Sequence, residues 1–305
     1  GSEMCIRDSF RPAVLFMTGG YVAAPVAAAA RVRGVPIVVY LPDVEPGSTI
    51  RAVMPLARRV ACTSDGSRAF VPAEKMVVTG YPVRPEIRAA RRLSREQALA
   101  RFDLRPGRPT LFVFGGSRGA RAINRALMAA LPALLAEAQV IHVSGTLTWP
   151  EVEANAATLP GELRAFYRPY PYLHEEMGPA FRAADLVVAR AGASMLGESP
   201  AFGLPSLLVP LTFAWRYQKV NADYLTERGA AVQLTDDTLP TELLPTVRAL
   251  LGDPDRLAAM AAAAAALDRP AAATDLARLI LAEGGATLPA DSSPAIVSPQ
   301  EETLC

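Results

Sequence analysis

Residues 110–120, TLFVFGGSRGA, join a β-branched and aromatic apolar run directly to a glycine-rich turn. Residues 14–21 (VLFMTGGY) and 186–194 (LVVARAGAS) repeat this order, and a helix-like stretch follows each of the three. The pattern predicts a buried strand that leads into a helix, with free backbone N–H groups at the turn. Such a turn attracts phosphate through its donors and the helix dipole. The chain is therefore predicted to act on a phosphorylated small molecule.

Strand-like and helix-like segments alternate along the chain, which predicts right-handed βαβ units and parallel sheets. In 305 residues we expect two α/β domains, and a hydrophobic fraction of 51% is sufficient for two cores. We place a partial first domain at residues 10–83, a second domain at 84–270 and a closing helix at 271–283. Residues 1–9 are interpreted as a non-native leader, and the Pro- and Ser-rich residues 284–305 as a disordered tail.

Composition excludes several classes of protein. The net charge of +1 argues against a nucleic-acid partner. The three scattered cysteines indicate reduced thiols in a cytoplasmic protein rather than a disulfide framework. With two histidines and three cysteines, no His/Cys zinc cluster can be assembled. His142, at the end of a predicted strand, is interpreted as structural, and His174 as solvated or capping.

The second and third glycine-rich turns contain candidate phosphate-binding residues. Ser117 offers a hydroxyl donor and Arg118 a positive charge, although a tight turn without a ligand would also account for them. Glu198 lies about one helical turn after Ala193 and Ser194. It would either bind ribose hydroxyls, as acids do in dinucleotide sites, or be a solvated surface acid.

Three further segments allow two interpretations each. Arg84 falls in the predicted connection between the domains, where it would neutralise a diphosphate or remain a solvated charge. Residues 213–221 (FAWRYQKVN), which contain Gln218 and Asn221, resemble a sugar-contacting loop or an ordinary helix start. The basic segment 49–59 predicts an amphipathic helix that covers the sheet or lies on an anionic membrane surface.

These motifs together resemble one family, the MurG glycosyltransferases, from about Phe10 to Ala282. The matching blocks are GGY (19–21), GYPVR (80–84), GGSRGARAIN (115–124), IHVSG (141–145), ADLVVARAGAS (184–194), GLPSLLVP (203–210) and RYQKVNA (216–222). The resemblance implies the GT-B fold: two Rossmann-like domains with parallel sheets and a cleft between them. It also implies transfer of N-acetylglucosamine from UDP-N-acetylglucosamine to lipid I, giving lipid II of peptidoglycan. The family's reaction inverts the anomeric centre and needs no metal ion or other cofactor.

The resemblance also assigns donor-side roles by motif. It places Ser117 and the backbone of Ala193 and Ser194 at the donor diphosphate, with Arg118 in the same phosphate turn. The other donor-side residues follow the family pattern: Arg84 at the phosphates, Glu198 at the ribose hydroxyls, Gln218 at the sugar and Leu173 at the uracil.

The resemblance implies that Gly19, Gly20 and Tyr21 line the acceptor side of the cleft. The acceptor is lipid-linked, so the chain is expected in the cytoplasm, peripherally on the inner face of the cell membrane. The family's first glycine-rich loop, with its histidine base, would precede Phe10, so the first domain is expected to be incomplete. Asp43 is the alternative candidate for the base.

Where the family usually has His-Glu-Gln-Asn, this chain has Tyr40-Leu41-Pro42-Asp43. This departure leaves other functions open. One is a related GT-B enzyme with another acceptor, and another is a UDP-sugar epimerase. A third is a non-catalytic protein that binds nucleotide sugars.

Overall fold

The structure is a computed structural model that describes residues 11–116, 120–211 and 217–287. Its first part is a parallel sheet with the strand order β1-β2-β3-β4. The strands are β1 (Leu15–Met17), β2 (Ile37–Leu41), β3 (Arg59–Cys62) and β4 (Met76–Val78). The intervening helices are α1 (Ala23–Val32) and α2 (Ser48–Val53), with 3₁₀ turns at Met54–Leu56 and Asp65–Ala69.

A connection of short helices leads to the second sheet. It consists of α3 (Pro85–Ala89), a 3₁₀ turn at Ala90–Arg92 and α4 (Arg95–Ala100). Ser94 caps α4 through a capping box with Gln97, which fixes the start of that helix. The domain boundary predicted near Arg84 falls at the start of this connection and stays a prediction.

The second sheet has six parallel strands in the order β10-β9-β8-β5-β6-β7. Its strands are β5 (Thr110–Phe114), β6 (Gln139–Val143), β7 (Tyr167–Tyr170), β8 (Leu186–Ala189), β9 (Ser206–Leu208) and β10 (Ala231–Gln233). The accompanying helices are α5 (Arg121–Glu137), α6 (Trp149–Thr158), α7 (Gly161–Arg164), α8 (Met177–Ala183), α9 (Met195–Phe202), α10 (Tyr217–Glu227), α11 (Leu239–Leu251) and α12 (Pro254–Ala266). The predicted α/β class with parallel sheets is confirmed.

The order of the second sheet reverses between β5 and β8. Strands β6 and β7 extend from β5 in one direction, and β9 and β10 extend from β8 in the other. In parallel α/β sheets a crevice opens at the carboxyl ends of the strands at such a reversal. The second and third glycine-rich turns follow β5 and β8, so both lie at this crevice.

Alternating side chains of the second sheet build two cores. Phe112 and Val187 belong to the core on one face, and Leu111 and Val188 to the core on the other. Because successive side chains of a strand point to opposite faces, an uninterrupted apolar strand fills both cores. The apolar run recognised in the sequence is therefore a central strand covered by helices on both sides.

The last described helix, α13 (Ala272–Glu283), crosses back to the first sheet. Its Leu276 packs on Tyr40 and Ala61, the side of β2 and β3 that faces away from the core containing Val39 and Val60. Two ion pairs, from Arg58 and Arg59 to Glu283, hold the end of α13 to the beginning of β3.

One element prediction is wrong. The helix predicted over 49–59 ends at Val53, continues as a 3₁₀ turn, and is followed by β3 from Arg59. Pro55 lies in this turn and breaks the periodicity by which the end of a helix is located.

Candidate functional site

A cavity of about 340 Å³ lies beside the carboxyl ends of β5 and β6. Part of its wall is apolar and comes from the second half of the chain. The other part includes Tyr81 and Arg84, which belong to the segment between the two sheets. The lining residues are Tyr81, Arg84, Phe114, Gly116, Val143, Tyr172, Leu173, Met177, Ser194 and Glu198.

Glu198 is the acid of this cavity, and its side chain is 6% exposed. Within the described residues it makes no ion pair. Burial raises the pKa of Glu198, while a hydrogen bond with Ser194 and the charge of Arg84 act in the opposite direction. A desolvated carboxylate without a paired cation needs hydrogen-bond donors. The hydroxyl groups of a ligand in the cavity would supply them.

Close packing of α9 against the connection holds Glu198 in place. A Cβ atom on Gly197 would lie 2.6 Å from Cβ of Tyr81, so glycine is required for this approach. Burial raises the pKa of Tyr81, and the neighbouring charge of Glu198 raises it further. Arg84 lies at the mouth of the cavity with an exposed side chain, 3.8 Å from Glu86. Its role at a phosphate stays a prediction.

A second cavity, of about 460 Å³, adjoins the first and shares Phe114, Gly116 and Ser194 with it. It lies directly at the reversal point between β5 and β8. Its lining includes the first residues of α5 and α10. The described residues that line it are Phe114, Gly115, Gly116, Ala120, Arg121, Arg190, Gly192, Ser194, Met195, Leu211 and Gln218.

The predicted donor-side residues are distributed over the two cavities. Leu173 and Glu198 line the first, Gln218 the second, and Ser194 both. The Oε1 atom of Gln218 accepts a hydrogen bond from the backbone N–H of Leu211 at 2.9 Å, which orients the amide.

Ala193 is half-buried in the turn between β8 and α9, next to Ser194. Ser117 and Arg118 lie outside the described residues. The ligand contacts of all these residues stay predictions.

Asn221 joins the two halves of the molecule beside the cavities. The first half contains the sheet β1–β4, and the second contains the sheet β5–β10. Its amide oxygen accepts from the backbone N–H of Val44 at 2.9 Å, and its Nδ2 donates to Asp43 Oδ1 at 2.8 Å. The same Nδ2 donates to the carbonyl of Ala191 at 3.1 Å. Asn221 is buried on α10, so its interpretation as part of a sugar-contacting loop is replaced by a structural contact. The sequence offered no signal for this pairing, because the partners are about 180 positions apart.

Asp43 follows β2 and is partly buried between the halves. Burial raises the pKa of its carboxyl, and the hydrogen bond from Asn221 partly counteracts that. Its charge also raises the pKa of Tyr81, a residue of the first cavity. Asp43 is thus close to the donor-side wall without lining either cavity.

The first glycine-rich turn lines neither of these cavities. Gly19 and Gly20 have φ values of 110° and 92°, a backbone region that favours glycine, so they form the expected turn. The next residue, Tyr21, is 87% exposed. The structure therefore does not bring this turn together with the donor-side residues, and its acceptor role stays a prediction.

The interpretation of His142 as a structural residue is supported by its surroundings. Nδ1 is 2.7 Å from the hydroxyl of Tyr167, and Nε2 is 2.9 Å from Oδ1 of Asn124. The ring is fully buried, and burial lowers its pKa to about 3. The Asn124 amide donates in turn to the carbonyl of Ser144 and the hydroxyl of Thr148. This neutral network ties α5 to the loop after β6.

The predicted membrane-facing basic helix does not have free charges. Arg51 pairs with Glu45, and the two arginines that follow, Arg58 and Arg59, pair with Glu283. Ile50 is buried against the sheet, so the alternative of a sheet-covering segment is correct.

Among the residues that the structure describes, no helix is long and apolar enough to cross a bilayer. No group of three or more His, Cys, Asp or Glu side chains there is arranged to hold a metal ion. The expectation of a reaction without metal or cofactor stays a prediction.

Comparison with known proteins identifies the architecture. Residues 110–276 match the glycosyltransferase family 28 C-terminal domain. A crystal structure of MurG from Acinetobacter baumannii superposes with a TM-score of 0.72 at 28% identity, over 88% of this chain and 72% of that chain. The predicted GT-B fold is therefore confirmed.

Two curated relatives carry the same name, UDP-N-acetylglucosamine–N-acetylmuramyl-(pentapeptide) pyrophosphoryl-undecaprenol N-acetylglucosamine transferase. The protein from Roseiflexus sp. (strain RS-1) is 42% identical over 91% of this chain and 70% of its own length. The protein from Desulforudis audaxviator (strain MP104C) is 39% identical over 89% of this chain and 74% of its own length. The resemblance inferred from the motifs is confirmed, and the chain belongs to the MurG family of glycosyltransferases.

Proposed function

We propose that this chain transfers N-acetylglucosamine from UDP-N-acetylglucosamine to a lipid-linked muramyl-pentapeptide pyrophosphate, converting lipid I into lipid II in peptidoglycan synthesis. The observation that carries the proposal is the pair of contiguous cavities at the reversal point of the second sheet, with the buried acid Glu198 in the wall of the first. The names of the two relatives give the same reaction.

The donor is placed along the two cavities. Uracil packs on the apolar wall near Leu173, and the ribose hydroxyls donate to the carboxylate of Glu198. Arg84 and the start of α9 at Ser194 face the diphosphate, since helix N-termini and guanidinium groups both favour phosphate. The sugar then extends into the second cavity, where the oriented amide of Gln218 meets its hydroxyls.

The chemistry follows from this placement. An acceptor hydroxyl attacks the anomeric carbon as the bond to the UDP oxygen breaks, so the anomeric centre inverts. Arg84 and the α9 N-terminus stabilise the negative charge that develops on the leaving UDP. The acceptor proton passes to a base. Among the described residues Asp43 is the candidate, because its buried carboxyl with a raised pKa lies between the halves.

The partners and the location follow from the two substrates. The lipid-linked acceptor requires contact with a membrane, and the nucleotide-sugar donor places the reaction on the cytoplasmic face. Helix α1 and its N-cap residue carry exposed apolar side chains, among them Val22 at the N-cap and Val26 in the helix, which support contact with the lipid region. Vesicle flotation tests this contact: replacing both valines with serine is expected to reduce binding. Equal flotation of the variant and the parent would argue against it.

Transfer of radiolabelled N-acetylglucosamine from UDP-N-acetylglucosamine to lipid I in detergent tests the activity. We expect a labelled lipid product, and we expect the reaction to persist in EDTA because no metal takes part.

Calorimetric titration with UDP-N-acetylglucosamine, UDP-glucose and NAD tests the donor separately. A preference for NAD would overturn the donor assignment. Donor turnover without transfer to lipid I would favour another acceptor or an epimerase, and donor binding without any turnover would favour a binding protein.

A further inference from the structure

The two cavities differ in charge. The first contains the cation Arg84 and the acid Glu198. Among the described residues, the lining of the second includes the two cations Arg121 and Arg190 and no acid. An N-acetylhexosamine is neutral, so a bound sugar alone does not account for two guanidinium groups around this space.

The two arginines have different surroundings. Arg190 is 12% exposed, lies 2.8 Å from Asp236 and donates to the carbonyl of Val209 at 3.1 Å, so its charge is already compensated. Arg121 is exposed, and within the described residues its guanidinium makes no ion pair or hydrogen bond. Arg125, one helical turn later on α5, pairs with Glu151 at 2.8 Å. Of the two described arginines in the second cavity, Arg121 is thus the one without a compensating partner.

The position of Arg121 is electrostatically unfavourable without a ligand. It is the first residue of α5, a helix of 17 residues, and the positive end of the helix dipole disfavours a cation there. The first turn of α5 contains no acidic residue, and Ala120 at the N-cap provides no side-chain acceptor. An anion in the second cavity would compensate Arg121 and the open N–H groups of this turn together.

We infer that Arg121 binds a phosphate group of a reactant in the second cavity. This inference rests on the proposed function, which supplies two phosphate sources: the diphosphate of the UDP-sugar and the pyrophosphate of the lipid-linked acceptor. Both would present the same oxygens to the guanidinium. The first source would make Arg121 a donor-binding residue, and the second would make it an acceptor-binding residue.

Arg121→Gln tests the inference, with Arg125→Gln as the matched control on the same helix. If Arg121 contacts the donor, the variant binds UDP and UDP-N-acetylglucosamine about tenfold more weakly by calorimetry. If it contacts the acceptor, UDP binding is unchanged and the KM for lipid I rises by about the same factor. In either case Arg125→Gln behaves like the parent chain. Arg121→Lys retains part of the affinity, because lysine keeps the positive charge.

Thermal unfolding separates binding from a structural role. Without a ligand, Arg121→Gln is expected to unfold at the same temperature as the parent or a higher one, because the cation opposes the helix dipole. Unchanged UDP binding and an unchanged KM for lipid I would overturn the inference while the proposed function stands. Equal losses in both glutamine variants would overturn it as well. If the parent chain binds no UDP-sugar, the proposed function and this inference fail together.

Discussion

The turn at Gly19-Gly20 and the turn at Gly115-Gly116 begin from the same local pattern, yet only the second lines the cavities described above. Strand β1 is paired only with β2 among the described residues, whereas β5 lies between β6 and β8. The helix after the first turn, α1, buries only Ala27. The helix after the second, α5, buries a full face of eight residues.

A glycine-rich turn therefore becomes part of a site only through its neighbours in the sheet. The cavities need the ends of β5 and β8 side by side, because each strand end supplies one wall. Behind the second turn, the network centred on His142 and Asn124 also fixes the start of α5. The first turn has no counterpart of this network among the described residues.

The largest expected effect comes from removing that network. His142→Ala leaves the Tyr167 hydroxyl and the Asn124 amide oxygen without their hydrogen-bond partner. It also creates a cavity at a fully buried position. We expect the free energy of unfolding to fall by about 4 kcal/mol, measured by urea denaturation. His174→Ala, at an exposed histidine, is the control and should change it by less than about 0.5 kcal/mol. Equal stability of the two variants would contradict the scaffold role.

The next effect concerns the contact between the halves. Asn221→Ala removes the acceptor of the buried Val44 N–H and the donor to Asp43. We expect a loss of about 3 kcal/mol in the free energy of unfolding, since a buried donor is left unsatisfied. Asn155→Ala is the matched control, because the Asn155 amide oxygen has no hydrogen-bond partner among the described residues. A first half that stays protected in hydrogen exchange despite Asn221→Ala would show that the halves are stable independently.

A smaller effect is expected inside the first cavity. Glu198→Gln should weaken UDP-N-acetylglucosamine binding by about 2 kcal/mol, roughly 30-fold, because a charged acceptor for the ribose hydroxyls is lost. Calorimetric titration measures it, with Glu162→Gln, at an exposed acid on α7, as the control. Unchanged affinity would refute the ribose assignment.

Glu198→Gln should also change how the stability of the ligand-free chain depends on pH. Burial raises the pKa of Glu198 in the folded chain, so the native state retains a proton that the unfolded state releases. The stability contributed by the protonated form is fully present below the unfolded pKa of about 4.3 and is lost as pH rises through the folded pKa. Glu198→Gln should remove this dependence, and thermal unfolding across that range measures it. A parent and a variant with the same pH profile would contradict the burial argument.

The smallest effect belongs to the first turn. Tyr21→Ser replaces a side chain that is 87% exposed, so we expect a change in stability within about 0.5 kcal/mol and unchanged binding of the donor. A raised KM for lipid I alone would support the acceptor-side prediction. Weaker binding of UDP-N-acetylglucosamine would instead show that the two glycine-rich turns are less different than the structure indicates.

Much of the architecture was predictable from the sequence. Continuous apolar strands such as residues 110–114, alternating with helical segments, implied parallel sheets covered on both faces. The shared blocks identified the family and the transferase class, which the relatives confirm. These properties depend on local composition and spacing, and neighbouring residues alone are sufficient to specify them.

Local sequence patterns do not reveal which turns form cavities or which polar residues are structural. Glu198 and Leu173 line one cavity because β5, β6 and β8 are neighbours in the sheet, and strand order is set by long-range packing. Asn221 meets Asp43, and Arg121 shares a cavity with Arg190, through the same packing. Local patterns were sufficient to predict most of the elements and the family of this protein. The fold decided the charge and burial at each site residue, because both depend on groups that are distant along the chain.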